Sequence, residues 1–120
     1  MSRVLLIDDT PEIAELLTYA LRDRGYDVVS SGFDTAIGEL AQEHRADAVV
    51  LDCSVYGMSE SLFDSLRSIP ESQTLPVVIV SDTPEKADAS LRAREAEHVL
   101  LIPKPFSASQ IARALTQLLS

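Results

Sequence analysis

The chain begins with the segment RVLLIDD at residues 3–9, which is apolar from residue 4 to residue 7. These four apolar side chains do not alternate with polar ones, and two aspartates follow them directly. A strand of this composition is typical of a parallel sheet that is covered by helices on both faces. The segment therefore predicts a buried first strand whose carboxyl end carries two acidic side chains.

Four more apolar segments follow, and the segments between them have the spacing of amphipathic helices. Together with the first segment, they predict strands at residues 3–8, 26–31, 48–51, 76–80 and 99–102. Right-handed crossovers between such units lead to an open, doubly wound sheet. The fold class predicted is therefore α/β, with a (βα)5 parallel sheet.

The predicted helices begin at recognisable capping residues. Thr10 precedes a proline at the first helical position, and Asp34 is placed to cap the second helix. Residues 107–110 have the spacing of a capping box before the last helix. The helix predicted at residues 84–96 has Leu91 as its one large apolar residue, so we expect it to be the least firmly held.

The composition restricts the class of protein. A chain of 120 residues with 46% hydrophobic and 24% charged residues is predicted to form one globular domain spanning residues 1–120. Its net charge of -9 disfavours direct binding to nucleic acid or to an anionic membrane. The single cysteine, Cys53, excludes an internal disulfide and a cysteine-built zinc site. With no signal peptide or membrane span apparent, a cytoplasmic location is the default expectation.

Polar side chains stand where the predicted strands end, which is where open parallel sheets bind ligands. They are Asp8, Asp9, Asp52, Ser81, Asp82 and Lys104. If the first and third strands are neighbours, three carboxylates converge, and that negative charge favours a bound cation. Oxygen ligands without cysteine or histidine favour Mg²⁺. A lysine and a hydroxyl group at the same edge suit a phosphoryl group.

These segments resemble the receiver (REC, CheY-like) domain of bacterial two-component response regulators. The resemblance is carried by LIDD at residues 6–9, VLD at 50–52, VS at 80–81 and KPF at 104–106, in matching order and spacing across the chain. It implies a flavodoxin-like sheet with strand order 2-1-3-4-5. It also implies a phosphorelay signal-transduction switch, a phosphoprotein and not an enzyme, within a single receiver domain.

The resemblance implies a role for each acidic residue. Asp52 would be the phosphoacceptor, taking a phosphoryl group from a sensor histidine kinase or a phosphotransfer protein. Asp9 and Asp52 would bind Mg²⁺ directly, together with the backbone carbonyl of Ser54, and Asp8 would act mainly through water.

The resemblance likewise implies how the phosphoryl group is recognised and sensed. Lys104 would pair with one phosphoryl oxygen, and a cis peptide bond to Pro105 is implied. The hydroxyl of Ser81 would move to another phosphoryl oxygen as the switching step. The surface that responds would bind a downstream protein or effector domain, whose identity the sequence leaves open.

Five residues depart from the usual receiver pattern. Tyr56 stands where proline is common and Glu60 where glycine is common, and we expect both in the loop after Asp52. Asp82 replaces a small residue and would repel an incoming phosphoryl group. Leu101 replaces an aromatic residue of the fifth strand, and Glu97 replaces a glycine.

Three alternatives remain open at this stage. A pseudo-receiver that acts only as a protein-interaction module is favoured by Asp82 and Leu101 and disfavoured by the intact set of three carboxylates. A haloacid-dehalogenase-type phosphotransferase would need two aspartates two residues apart on the first strand, whereas Asp8 and Asp9 are adjacent. Flavin binding would need a phosphate loop in place of this acidic segment. Whether an effector domain follows residue 120 is also open.

Overall fold

The computed structural model describes residues 2–32 and 36–120. In this part of the chain, strands and α-helices alternate as predicted: β1 Arg3–Asp8, α1 Pro11–Asp23, β2 Asp27–Ser31, α2 Ile37–Glu43, β3 Ala48–Asp52, α3 Tyr56–Arg67, β4 Val77–Ser81, α4 Pro84–Ala93, β5 Val99–Pro103 and α5 Ala108–Leu119. A single 3₁₀ turn at Pro70–Ser72, which the sequence pattern did not predict, follows α3.

The five strands form one parallel sheet in the order β2-β1-β3-β4-β5. The predicted fold class and strand order are therefore confirmed. Because β1 and β3 are neighbours, the carboxyl ends of both strands lie at the same edge of the sheet. This adjacency is the condition on which the predicted convergence of carboxylates depends.

The sheet is covered on both faces, which explains why its central strands β1, β3 and β4 are apolar along most of their length. Val4 and Leu6 of β1 belong to the cluster formed with α1 and α5. Leu5 and Ile7, which point the other way, belong to the cluster formed with α2, α3 and α4. All four side chains are fully buried. Alternate residues of one strand therefore supply two separate cores.

The helix ends agree with the predictions in part. Thr10 is the N-cap residue of α1, although its side chain makes no capping hydrogen bond. Both hydrogen bonds of the predicted capping box are present. The backbone amide of Gln110 donates to the Ser107 hydroxyl, and the side-chain Oε1 of Gln110 accepts the backbone amide of Ser107. The predicted cap at Asp34 lies outside the described residues.

The prediction for the fourth helix is wrong at its C-terminal end. α4 ends at Ala93 and not at residue 96. Glu95 adopts a left-handed backbone conformation with φ 49°, which cannot continue a right-handed helix. His98 is also left-handed, with φ 58°, so the turn into β5 is made by residues that carry side chains.

The prediction for Tyr56 and Glu60 is also wrong in one respect. Both lie within α3, which begins at Tyr56, and not in a loop after Asp52. The connection from β3 to α3 is short because Val55, in an extended conformation, already serves as the N-cap residue. Their side chains, four residues apart, therefore lie on the same face of α3.

Within the described residues, no helix is both long enough and apolar enough to span a bilayer.

Candidate functional site

Two of the predicted site carboxylates lie side by side at the carboxyl edge of the sheet. Asp8 ends β1 and Asp52 ends β3, and their Cα atoms are register partners. Both residues are almost completely buried, with 6% and 3% of their surface exposed. Asp9 follows at the same edge and is half-buried. All three predicted carboxylates therefore lie at the same edge of the sheet.

Asp8 is the carboxylate whose charge is least well satisfied. Its Oδ1 accepts the backbone amide of Thr10 at 2.8 Å, whereas its Oδ2 is buried without a hydrogen-bond partner. Burial raises the pKa of Asp8 to about 7 against the opposing effect of the Thr10 amide, and the charge of Asp52 adds to the rise. A buried acceptor beside a second carboxylate is suited to a cation.

Asp9 is bound by Ser54, in the segment that follows β3. Its two carboxylate oxygens accept the Ser54 amide at 3.1 and 3.0 Å, and the Ser54 hydroxyl also donates to this carboxylate. Partial burial acts to raise the pKa of Asp9, but these hydrogen bonds outweigh it and the pKa is lowered. The Asp9 carboxylate is thus held in its ionised form.

Lys104 reaches the predicted phosphoacceptor directly. Its Nζ lies 3.0 Å from Oδ1 of Asp52. Partial burial acts to lower the pKa of Lys104, but the hydrogen bond to Asp52 and the charges of Asp52, Asp82 and Asp8 outweigh it, so the pKa is raised. The peptide bond between Lys104 and Pro105 is cis, as the resemblance implies.

Ser81 ends β4 at the same edge and is buried. Its carbonyl accepts the Lys104 amide at 2.8 Å, which holds these two residues together across β4 and β5. Its hydroxyl accepts the backbone amide of Thr83 at 3.0 Å and lies 3.2 Å from the Thr83 hydroxyl. Since Thr83 is the N-cap residue of α4, the Ser81 hydroxyl is linked to the start of that helix.

Three contacts at this edge were missed by the sequence analysis. They are the Thr10 amide on Asp8, the Ser54 hydroxyl on Asp9 and the Thr83 amide on Ser81. Two of them carried a local signal, because Asp and Ser side chains commonly bind the amide two residues ahead. The contact from Ser54 to Asp9 joins residues 45 apart in the sequence, and no pattern could have indicated it.

The oxygen ligands at this edge are of the kind that a hard cation prefers, although their atoms do not surround a single cation position. Three carboxylates and a serine carbonyl are oxygen ligands of the kind that Mg²⁺ prefers, and the unpartnered Oδ2 of Asp8 is one of them. Across residues 2–32 and 36–120, no three acidic, histidine or cysteine side chains are arranged as a ready metal-binding group. The Asp9 carboxylate is instead hydrogen-bonded to Ser54.

A family model described as the response regulator receiver domain matches residues 4–116. The chain belongs to the response regulator receiver domain family. The segments on which the resemblance depended, from residue 6 to residue 106, all lie within this match. This receiver domain is therefore a component of two-component signal transduction.

Curated relatives of the receiver domain include two proteins of Mycobacterium tuberculosis. The chain is 34% identical over 119 residues to the probable transcriptional regulatory protein TcrX, covering 97% of this chain and 49% of TcrX. It is 31% identical over 115 residues to the transcriptional regulatory protein KdpE, covering 96% of this chain and 50% of KdpE. The chain thus spans about half the length of these relatives.

Among solved structures, the receiver domain of sensor histidine kinase PA1611 from Pseudomonas aeruginosa PAO1 matches with a TM-score of 0.79. The match covers 98% of this chain and 97% of that one at 21% sequence identity. It supports the fold alone. That structure contains a magnesium ion coordinated in its active-site cleft.

Proposed function

We propose that this receiver domain accepts a phosphoryl group on Asp52 from a phosphohistidine of a partner kinase or phosphotransfer protein. The observation that carries the proposal is the ion pair of buried Asp52 with Lys104, at 3.0 Å. Asp8 and Ser81 lie at the same sheet edge as this pair. The domain then acts as a switch in the cytoplasm and releases no catalytic product of its own.

The transfer follows from the chemistry of a carboxylate nucleophile. An oxygen of Asp52 bonds to the phosphorus of the phosphohistidine, and the phosphorus–nitrogen bond breaks. The bonding pair returns to the imidazole, which takes up a proton from water, and Asp52 becomes an acyl phosphate. No protein base is required, since a carboxylate attacks in its ionised form. Lys104 then pairs with an oxygen of the transferred group.

Asp8, Asp9, Asp52 and the backbone carbonyl of Ser54 are the residues that would hold Mg²⁺. When bound, Mg²⁺ offsets the negative charge of the phosphoryl group as it is transferred. The Oδ2 of Asp8 supplies an acceptor that is already desolvated and unpartnered. The Asp9 carboxylate would exchange the hydrogen bond from the Ser54 hydroxyl for the cation, so we expect this hydroxyl to weaken Mg²⁺ binding while the Ser54 carbonyl contributes to it.

Ser81 is proposed to sense the phosphoryl group. Its hydroxyl accepts the Thr83 amide and lies 3.2 Å from the Thr83 hydroxyl, so movement towards a phosphoryl oxygen would give up these contacts. Moving it towards Asp52 would release the N-cap residue of α4. The surface that changes is therefore expected to include α4, and its partner is a downstream protein or effector domain.

This domain has an apolar surface beside Asp52 and Lys104 on which a kinase or phosphotransfer protein would dock. Ile13 and Leu16 of α1 line a groove together with Lys104, Pro105 and Phe106. Leu16 is 63% exposed, and it adds apolar surface to this groove. A partner seated there would lie next to the lysine that contacts Asp52. The net charge of -9 favours a protein partner over nucleic acid for this domain.

The pseudo-receiver remains the second candidate because of Asp82. This exposed carboxylate is close enough to Lys104 to raise the pKa of that lysine, so it adds negative charge at the entrance of the pocket. In a pseudo-receiver, Asp52 would never be phosphorylated, and the same surfaces would bind partners constitutively.

Phosphorylation distinguishes the two functions. We expect one phosphoryl group per chain after incubation with Mg²⁺ and a phosphohistidine donor, located on Asp52 by mass spectrometry. Asp52→Asn should not be labelled. Asp47→Asn is the matched control, since Asp47 lies just before the opposite end of β3 and binds the Arg3 amide. Absence of label from wild type, or label on another aspartate, would contradict the proposal.

A further inference from the structure

α4 is the helix whose apolar attachment to the sheet is weakest. Of its ten residues, only Ala87 and Leu91 are buried. An apolar face this small contributes little burial, so other contacts must decide where the helix lies. Those contacts come from α3, which runs beside it.

The contacts start from three polar residues of α3, Tyr56, Glu60 and Asp64. They follow one another at intervals of four residues and therefore share one face of the helix. The Tyr56 hydroxyl lies 3.5 Å from the Ala87 carbonyl, and Glu60 accepts a hydrogen bond from the Ser90 hydroxyl. Tyr56 and Glu60 are two of the residues that depart from the usual receiver pattern.

Arg94, at the end of α4, completes the arrangement. Its guanidinium donates to both carboxylate oxygens of Asp64, at 2.8 and 3.0 Å, and lies 3.4 Å from Glu60. It also donates to the Ser90 hydroxyl of its own helix. The hydrogen bond with Asp64 raises the pKa of Arg94 further above its usual range. A bidentate pair within a network of charges is stronger than an isolated surface pair.

We call this set the α3–α4 clamp: Tyr56, Glu60, Asp64, Ser90 and Arg94. It contacts α4 from its first turn to Arg94, the C-cap residue. At the N-terminal end of the same helix, Thr83 binds the Ser81 hydroxyl. In this structure, the clamp and the hydrogen bond between Ser81 and Thr83 are therefore present together.

We propose that the α3–α4 clamp is a set of positioning residues that opposes the response to phosphorylation. The proposal rests on the function proposed above, in which Ser81 moves towards Asp52. In this proposal, the clamp contacts are stronger in the unphosphorylated arrangement than in the phosphorylated one. The free energy that these contacts lose on phosphorylation is therefore subtracted from the free energy of binding the phosphoryl group. Weakening the clamp then increases the affinity of the pocket for a phosphoryl mimic.

Arg94→Ala tests the proposal, with Arg92→Ala as its matched control. Both arginines lie at the C-terminal end of α4, but Arg92 is largely exposed and pairs with Asp88 of its own helix, not with α3 carboxylates. The probe is beryllofluoride with Mg²⁺, and its affinity is measured by calorimetry. We expect Arg94→Ala to bind it about threefold more tightly than wild type, which is the scale of a partly exposed ion pair. Arg92→Ala should match wild type.

Two further measurements separate positioning from general stability. Amide hydrogen exchange in α4 should accelerate in Arg94→Ala without the probe, and not in Arg92→Ala. In a Ser81→Ala background, Arg94→Ala should no longer alter the affinity, because the group that links α4 to the pocket is absent. Asp64→Asn, which alters an exposed partner, serves as a second variant if Arg94→Ala folds poorly.

The outcomes distinguish failure of the clamp proposal from failure of the proposed function. If wild type binds beryllofluoride and Arg94→Ala binds it with equal or lower affinity, the clamp proposal is overturned while the proposed function stands. An affinity gain that persists in the Ser81→Ala background also overturns it. If wild type binds no beryllofluoride at all, the proposed function fails, and the clamp proposal fails with it.

Discussion

At the scale of single residues, the candidate site contains three carboxylates, and the surrounding groups do not provide hydrogen bonds or ion pairs for all of their oxygens. Lys104 pairs with Asp52, and Ser54 binds Asp9, but one oxygen of Asp8 is left buried without a partner. Such a group destabilises the fold in its charged form. The receiver domain therefore maintains at Asp8 an arrangement that is unfavourable for folding and suited to a cation.

Replacing Asp8 by asparagine should stabilise the receiver domain in the absence of Mg²⁺. Burial and Asp52 raise the pKa of Asp8 to about 7, so its protonated form stabilises the fold at low pH and this contribution is lost as the pH rises from about 4 to about 7. At pH 8, Asp8→Asn should therefore increase the free energy of unfolding by about 1–3 kcal/mol. Urea denaturation at pH 4 and pH 8 measures this. An equal gain at both values would contradict the explanation.

Asp82 should slow phosphorylation by small anionic donors. It is exposed, and its charge acts on Lys104, so it repels a donor that approaches Asp52. We expect Asp82→Ala to increase the rate of labelling by acetyl phosphate by about two- to fivefold at low ionic strength, and by less in high salt. Glu85→Ala, an exposed acidic residue in the first turn of α4, is the control. A rate that is unchanged at low ionic strength would exclude this role.

At the scale of secondary-structure elements, the two faces of the sheet are packed differently. The face with α1 and α5 is covered by large apolar side chains, whereas α4 on the other face depends on polar contacts with α3. α2 packs closely against the segment after α3, where Gly38 faces Ile69. The opposite face therefore has an apolar core formed with α2 and α3, and α4 is joined to it mainly through polar contacts.

Gly38 should tolerate alanine only when Ile69 is shortened. A Cβ atom at Gly38 would lie 1.9 Å from Cδ1 and 3.3 Å from Cγ1 of Ile69. We expect Gly38→Ala to destabilise the domain by about 1 kcal/mol, since displacing Ile69 outweighs the better helix propensity. In an Ile69→Val background, which lacks Cδ1, the same change should be neutral or stabilising. Thermal denaturation of wild type, the two single variants and the double variant measures the coupling between residues 38 and 69. Additive effects of the two changes would contradict the prediction.

At the scale of the whole molecule, folding itself assembles the proposed metal site. Asp8, Asp9 and Asp52 come together because β1 pairs with β3. Mg²⁺ binds the folded chain in preference to the unfolded one and must then stabilise it.

At a Mg²⁺ concentration ten times the Kd, the free energy of unfolding should rise by about 1.4 kcal/mol. Differential scanning calorimetry measures the shift directly, and the chain has no tryptophan for a fluorescence assay. Asp9→Asn should abolish the shift. Asp23→Asn, at the exposed end of α1, should retain it. An equal shift in wild type and Asp9→Asn would place the cation elsewhere.

Much of this architecture was predictable from local sequence pattern. Continuous apolar strands indicate a parallel sheet covered on both faces, and in such a sheet polar residues at strand ends meet at one edge. Asp8, Asp52, Ser81 and Lys104 could be assigned to one site for this reason, before any contact was known. The capping box at Ser107 was equally predictable, because it depends on residues three positions apart.

The tertiary structure alone decided what each of these side chains contacts. Ser54 binds Asp9 across 45 residues, and Arg94 binds Asp64 across 30. Tyr56 and Glu60, which the receiver resemblance placed in a loop, lie in α3 and face α4. Periodicity encodes which face of an element is apolar, whereas these contacts depend on how closely two helices pack and where each one ends. Sequence thus determined the fold and which polar residues meet at the carboxyl edge of the sheet, and packing determined which hydrogen bonds hold Asp9, Ser81 and α4 in place.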